Sequence, residues 1–406
     1  MAAGMTGTTG MTGARGAGEK SLVYLDYAAS APMCAAALAA EREYEAAPFS
    51  GANPNSLHTL GRQAARALDG ARRDLARCLG ARLRPSDIVF TSGGTESNNM
   101  ALWGLAEGAR QKDRRRVRVL VSAIEHDSAL DAVPTLRERG FEVELLRPGR
   151  DGAIDPATVE AALDETVALV SVMSANNETG VIQPVGAIAR AAHAAGALMH
   201  TDAAQAFARV PLEIGDCDAV SIAAHKIGGP VGIAALAIRP RTPFRPQSFG
   251  GGQEQGRRAG TQDVRSALAF AAAAVDACGA LEERRERVSA MANRLYGRIC
   301  AEGTGVVPTT TACVDESRLP GVVSIMCPRV DSETLVLALD AAGFEVSAAS
   351  ACSSGSLDAS HVLSAMGVPR EQALGSLRVS FDHRVDEADL DRFAEALLAI
   401  VAERSR

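Results

Sequence analysis

The chain has 406 residues, 47% of them apolar and 22% charged, with a formal net charge of −7. That is ample material for a packed core and excludes a disordered or collagen-like chain. The acidic balance gives no reason to expect nucleic acid or an anionic membrane as partner, and no uncharged run approaches the roughly 20 apolar residues that a membrane-spanning helix needs.

Residues 1–20 are rich in Gly, Thr, Ala and Met without an apolar period and predict a flexible tail lacking the apolar core of a secretory signal. From about residue 64, apolar residues recur at helical spacing up to Gly80, a helix stop. Short β-rich runs then alternate with helical stretches. The runs are 87–90, 117–123, 141–146, 167–173, 197–201, 219–224 and 232–238. Seven such runs predict an α/β layer with a mostly parallel seven-stranded sheet. Around residue 264 the pattern changes to a long Ala/Arg/Glu-rich helical region, then β-like VVSIMC, helical ETLVLALDAAG, β-like EVSA and LRVSF, and a last helix from about 386. The expected organisation is a tail (1–20), a large domain (21–263) whose first residues pack with the small one, and a smaller α+β domain (264–406).

Eight cysteines, at 34, 78, 217, 278, 300, 313, 327 and 352, form no CxxC pair. This predicts a reducing, cytoplasmic setting without a thiolate zinc site. Lys and Arg total 42, yet only Lys20, Lys112 and Lys226 are lysines. Lys112 stands in the charge run QKDRRR. Lys226, in AAHKIGGP, follows a β-rich run and so falls at a strand end, where α/β proteins place their sites. HTDAAQ puts Asp202 and Gln205 at another strand end, and a carboxylate leaving an apolar strand needs a partner. TSGGTESNN opens a helix with bare glycines, an anion site built from backbone N–H groups and the positive helix end. Alone it reads equally as an ordinary turn with Thr95 or Ser97 as N-cap. A strand-end lysine, a carboxylate and an anion turn together are what pyridoxal phosphate requires. His126, in AIEHDS, also follows a strand and is placed to stack on such a ring.

In order and spacing, TSGGTESNN, EHDS, ANNETGV, HTDAAQ, AHKIGGP, GGGQEQGRRAGT and SAASACSSG resemble the cysteine desulfurases, pyridoxal 5'-phosphate enzymes of the class V aminotransferase superfamily. The likeness runs over about residues 22–400. It implies a type I fold, a homodimer with sites at the subunit interface, and conversion of L-cysteine to L-alanine with sulfur passing to an enzyme cysteine. Lys226 would form the Schiff base and move the substrate α-proton. Asp202 would pair with the pyridinium nitrogen, Gln205 would bond the ring hydroxyl, and His126 would lie over the ring. Gly94, Thr95 and His225 would hold the phosphate with Thr261 of the other subunit. Asn176 and Arg378 would bind the substrate. Cys352 would take the sulfur and, as a persulfide, serve as a transient iron–sulfur ligand. An isolated cysteine is most often a small buried hydrophobe. Cys352 stands instead in VSAASACSSGSLDAS, a run with little to pack, which predicts an exposed thiol on a mobile loop.

One position departs from the family pattern. Ala223 stands where a hydroxyl residue commonly helps hold phosphate, and a lost donor to a charged group costs about 1.5–3 kcal/mol unless another, such as Ser221, replaces it. The implied function is sulfur donation to a sulfur-acceptor or iron–sulfur scaffold protein, or for thiolation. A selenocysteine lyase, an aminotransferase that does not use the cysteine, and a weakly active assembly partner are the alternatives left open.

Overall fold

The computed structural model describes residues 22–80, 83–310, 317–349 and 359–404; the predicted tail, Cys313 and Cys352 lie outside them. All seven β-rich runs become strands of one sheet. Its order is Ile88–Thr91, Ala234–Ile238, Ala219–Ala223, Leu198–Asp202, Val167–Ser171, Arg118–Ser122, Glu142–Leu146. Ala234–Ile238 pairs antiparallel with both its neighbours, and the other pairings are parallel. Val167–Ser171, Ala219–Ala223 and Ala234–Ile238 are buried along their whole length. Continuous apolar runs of this kind suit a sheet covered on both faces. The edge strand Glu142–Leu146 is mostly exposed and carries two glutamates, which discourages pairing with another sheet.

Helix Thr59–Leu79 ends at Gly80, whose φ of +66° is open to glycine without a Cβ penalty. Beyond it, the sheet carries Gly94–Lys112 on one face and Val185–Ala194 on the other, each packed into its own apolar cluster. The second, four-stranded sheet has the order Ser347–Ala348, Ser376–Ser380, Val322–Met326, Val307–Pro308 and is antiparallel. It packs with helices Leu281–Ile299, Ser332–Ala341 and Glu387–Arg404 around a separate core. Val23–Tyr24 pairs parallel with Phe344–Glu345, so the first described residues lie against this second unit.

The helical region expected from 264 to about 300 is two helices, Val264–Gly279 and Leu281–Ile299, bent by 73°. Packing changes sides at that bend rather than at 264. The first helix buries Ala267, Phe270 and Ala274 in the core of the large sheet, and the second buries Leu295 and Ile299 in the other core. The first is Ala-rich and the second Arg- and Glu-rich, but composition does not say which core each one packs against. No single described helix is long and apolar enough to cross a membrane.

Between the last strand of the large sheet and Val264, the chain makes a turn in which Glu254 and Gln255 adopt φ of 48° and 58°. Left-handed backbone costs a non-glycine residue about 1–2 kcal/mol. The Glu254 carboxylate offsets this strain. It is buried, accepts from Arg72 Nη2 at 2.5 Å and from the Phe90 N–H at 2.9 Å, and so ties the turn to a helix and a strand. Arg72→Met leaves that charge without its cation and is expected to cost about 3–5 kcal/mol, measured by urea denaturation. A loss below about 1 kcal/mol, typical of a solvated pair, would show that the turn does not depend on it.

Candidate active site

The carboxyl ends of the parallel strands open into one cavity of about 350 Å³, within the usual range for a small-molecule site. Gly94, Thr95, His126, Asp202, Gln205, His225, Lys226 and Arg378 all line it. Residues 94 to 226 are brought together because strands running the same way deliver their following loops to one edge, and Arg378 joins them from the second sheet.

At the anion end, helix Gly94–Lys112 begins after Gly93, which is extended and provides no side-chain cap. Neither Thr95 nor Ser97 is the N-cap. Ser97 is buried and shares a hydrogen bond with Thr91 Oγ1 at 2.7 Å, while the Glu96 carboxylate accepts the Ser92 N–H at 2.5 Å. The first N–H groups of an α-helix have no acceptor within it, and the exposed Thr95 hydroxyl stands beside them. Ala223 also faces this end of the cavity. Ser221 does not replace the missing hydroxyl: it is buried, lies outside the lining and hydrogen-bonds His200 Nε2 at 2.9 Å.

Asp202 closes its strand at the floor of the cavity. Its Oδ1 accepts the Ala204 N–H at 2.8 Å and its Oδ2 accepts Asn98 Nδ2 at 2.6 Å. Asn98 also donates to Ser128 Oγ at 2.9 Å, and its Oδ1 is buried without a partner among the described residues. His126 caps the short helix Asp127–Leu130, its Nδ1 accepting the Ser128 N–H at 3.0 Å, which leaves the ring held by its own turn. Behind Asp202, His200 is sandwiched between Ser171 and Ser221. Burial pushes its pKa down to about 4, so the ring is neutral.

Lys226 sits on the turn Ala224–Lys226 and donates from Nζ to the carbonyls of Ala28 (2.7 Å) and Ala29 (3.0 Å). Gln205 Nε2 donates to the same Ala28 carbonyl at 2.9 Å. Beside them, Arg209 donates to the Lys226 carbonyl (2.8 Å), Gln205 Oε1 (3.3 Å) and the Tyr27 carbonyl (3.3 Å). Burial, then the nearby charges of Lys226 and Arg209, drives the His225 pKa down to about 4, so this histidine meets an anion as a neutral donor.

Arg378 is buried and pairs with Asp26 at 2.7 Å while donating to the Asn177 carbonyl at 3.0 Å. Its Nε is buried with no acceptor among the described residues, while the residue itself lines the cavity. Asn176 is not in the cavity. Its amide donates to the Ile124 carbonyl and its Oδ1 accepts the Glu178 and Thr179 N–H groups, all at 2.9 Å, so it shapes the turn; Asn177 lines the cavity instead. Thr261 is exposed and lies outside the lining, and Cys352 lies outside the described residues.

Sequence reasoning missed Asn98, Arg209 and Asp26. Asn98 was within reach, because it follows Thr95 by three on the same helix and so shares its face. Arg209 follows Gln205 by four in a turn, where that rule gives no guide, and Asp26 meets Arg378 only across the fold. The set fits pyridoxal 5'-phosphate: an amine, a carboxylate supplied by neutral donors, a free helix N-terminus, and a cavity of sufficient size.

A family model described as aminotransferase class-V matches residues 23–393. The chain is 40% identical over 390 residues to an IscS-like cysteine desulfurase of Mycobacterium tuberculosis, spanning 95% of this chain and 98% of that protein. It is 35% identical over 384 residues to the cysteine desulfurase IscS of Dictyoglomus turgidum, spanning 94% and 95%. A solved NifS-like protein matches with a TM-score of 0.85 at 32% identity, over 94% of this chain and 100% of that one.

Two outcomes follow from the geometry. Arg209→Met frees both Gln205 and the Lys226 turn, so pyridoxal phosphate is expected to leave on dialysis several-fold faster than from the parent. Arg209→Lys should fall between, since an ammonium lacks the guanidinium fork; equal retention in all three would make Arg209 a packing residue. The second outcome concerns Glu178, buried and accepting from Ser360 Oγ at 2.5 Å. Burial raises its pKa from 4.5 to about 7, so over that window the folded chain holds a proton that the unfolded chain has released. Stability therefore falls as pH rises through the window, and Glu178→Gln should flatten that fall in denaturation curves taken across it.

Proposed function

The chain belongs to the class-V aminotransferase family, and on that premise we propose that its cavity acts on L-cysteine and hands the sulfur to Cys352. It is a pyridoxal phosphate-dependent cysteine desulfurase of the type I fold, a sulfurtransferase that releases L-alanine. The observation that carries the site assignment is the convergence of Lys226, Asp202 and Arg378 on one cavity.

When bound, pyridoxal phosphate supplies an electron sink for bond cleavage at the substrate α-carbon. Lys226 would hold its aldehyde and move the α-proton at Nζ. Asp202, steadied by Asn98, would keep a proton on the ring nitrogen. Gln205 would donate to the ring hydroxyl and His126 would cover the ring. Gly94, Thr95 and neutral His225 would bind the phosphate through N–H and O–H donors. Arg378 would take the substrate carboxylate with a charge-assisted bond, and Asn177, rather than Asn176, is the asparagine placed to help it. Asp26 holds the Arg378 guanidinium at one edge, so the substrate meets a cation already oriented.

The proposal extends to the setting. Thr261 would complete the partner's phosphate site in a homodimer, a reading supported by its exposure outside its own cavity. The scattered, unpaired cysteines support a cytoplasmic protein. The IscS names of its relatives support delivery of the sulfur to an acceptor or iron–sulfur scaffold protein.

Cys352→Ser tests the central claim. The variant should bind pyridoxal phosphate and still change its visible spectrum when cysteine is added. Alanine formation should fall by orders of magnitude, with no protein persulfide detectable. Turnover preserved in this variant would assign sulfur acceptance to another group.

A further inference from the structure

Four cavity-lining side chains form one hydrogen-bonded line, from Asp202 to His126. Asp202 Oδ2 accepts from Asn98 Nδ2 at 2.6 Å, Asn98 Nδ2 also donates to Ser128 Oγ at 2.9 Å, and Ser128 Oγ lies 2.9 Å from His126 Nδ1. Asn98, Ser128 and Asp202 are buried. The Ser128 backbone is fixed as well. Its carbonyl accepts from Asn99 Nδ2 at 2.9 Å, and its N–H donates to His126 Nδ1 at 3.0 Å.

The donors along this line can point only one way. A carboxylate is an acceptor alone, and Asp202 is served at both oxygens, by the Ala204 N–H and by Asn98. Asn98 presents its amide nitrogen there, because its oxygen in that place would set two acceptors 2.6 Å apart. The two hydrogens of that nitrogen are then spent, one on Asp202 and one on Ser128 Oγ. Turning both onto the line leaves Asn98 Oδ1 buried with no partner among the described residues. Ser128 Oγ accepts from Asn98, so its own hydrogen goes to His126 Nδ1. That nitrogen already accepts the Ser128 N–H and therefore carries a lone pair. A neutral imidazole has one donor and one acceptor nitrogen, which places the proton on Nε2.

We propose that Asn98 and Ser128 are positioning residues that carry the acceptor character of Asp202 to His126 and hold that ring as its Nε2–H tautomer. This rests on the reading of Asp202 as partner of the pyridine nitrogen and of His126 as the residue over the ring. His126 would then meet cofactor and L-cysteine with a donor at Nε2, its basic nitrogen being occupied by Ser128. One chain of donors thus serves both the residue that keeps the ring nitrogen protonated and the residue that covers the ring. A seryl hydroxyl suits the link, since it accepts and donates at once.

The test uses holoenzyme with isotope-labelled histidine ring nitrogens, read by solid-state NMR, with His126 assigned by its absence from the spectrum of His126→Gln. An unprotonated, hydrogen-bonded Nδ1 and a protonated Nε2 are expected. In Asn98→Asp, an acid carries at most one hydrogen where the amide carried two, so the Ser128 hydroxyl turns to the new carboxyl group. The His126 Nδ1 resonance should then move downfield although no group touching His126 has been replaced. Ser128→Ala should move it the same way, and Ser128→Thr, which keeps the hydroxyl, should not. Asn98→Asp and Ser128→Ala should also lower kcat several-fold with little change in the KM for L-cysteine, because Arg378 is untouched, and Ser128→Thr should restore it. A protonated Nδ1 in the parent, or a resonance or kcat unmoved in Ser128→Ala or Asn98→Asp, overturns the proposal. Should Asn98→Asp lose its fold or its cofactor, the two Ser128 variants decide alone. The spectrum needs no substrate. A failure of the desulfurase reading therefore appears as absent alanine formation with the expected tautomer in place, whereas a failure of the relay appears in the spectrum with the parent's turnover intact.

Discussion

The site depends on a short strap, residues 26–32, threaded between the two sheets. Its carbonyls at Tyr27, Ala28 and Ala29 receive Arg209, Gln205 and Lys226, and Asp26 receives Arg378. The Ala28 N–H donates to Ser380 Oγ at 2.9 Å, and the Pro32 carbonyl accepts from Arg384 at 2.8 Å. Strand ends of the large sheet and residues of the small unit are therefore registered against the same few backbone groups. Carbonyls suit this task, because they accept from several cations without adding a charge that would have to be desolvated.

Around the strap the protein sorts charge by solvation. Arg378 keeps its charge in a buried position because Asp26 and a carbonyl answer it. Asp202 is served by an amide and a backbone N–H. At other groups burial outweighs the hydrogen bonds they make and favours the neutral form: His200 and His225 are pushed down to about 4, Glu178 up to about 7, and Glu125 upward as well, with the Asp202 charge adding to the effect. Few formal charges remain in the cavity: Arg378 stands where a substrate carboxylate would meet it, and Asp202 where a protonated ring nitrogen would. Ala223 removes one hydroxyl from the phosphate end, and the neighbouring donors there are the Thr95 hydroxyl, the helix N–H groups and His225.

The helical layer has a second task. Helix Val264–Gly279 lies on the large sheet, whereas its continuation after the bend belongs to the other core. The same helix is capped by Asp263, two residues after Thr261. Helix Thr59–Leu79 is tied to that same stretch of chain through Arg72 and Glu254.

What the sequence by itself determined is local. Seven β-rich runs announced seven strands, helical spacing announced their partners, and glycine, lysine and aspartate at strand ends announced the cavity, because period and strand-end placement are properties of a few consecutive residues. The resemblance of the motifs added the cofactor and the reaction. The tertiary structure decided which neighbour of a motif points inward. Asn177 lines the cavity where Asn176 was expected, since the Asn176 amide is consumed by its own turn. Ser221, two residues from Ala223, is taken by His200 from an adjacent strand. Arg209 reaches Tyr27 across 182 residues and Asp26 reaches Arg378 across 352. Such choices are set by which donor finds an acceptor once distant segments have been brought together, and no local pattern encodes that.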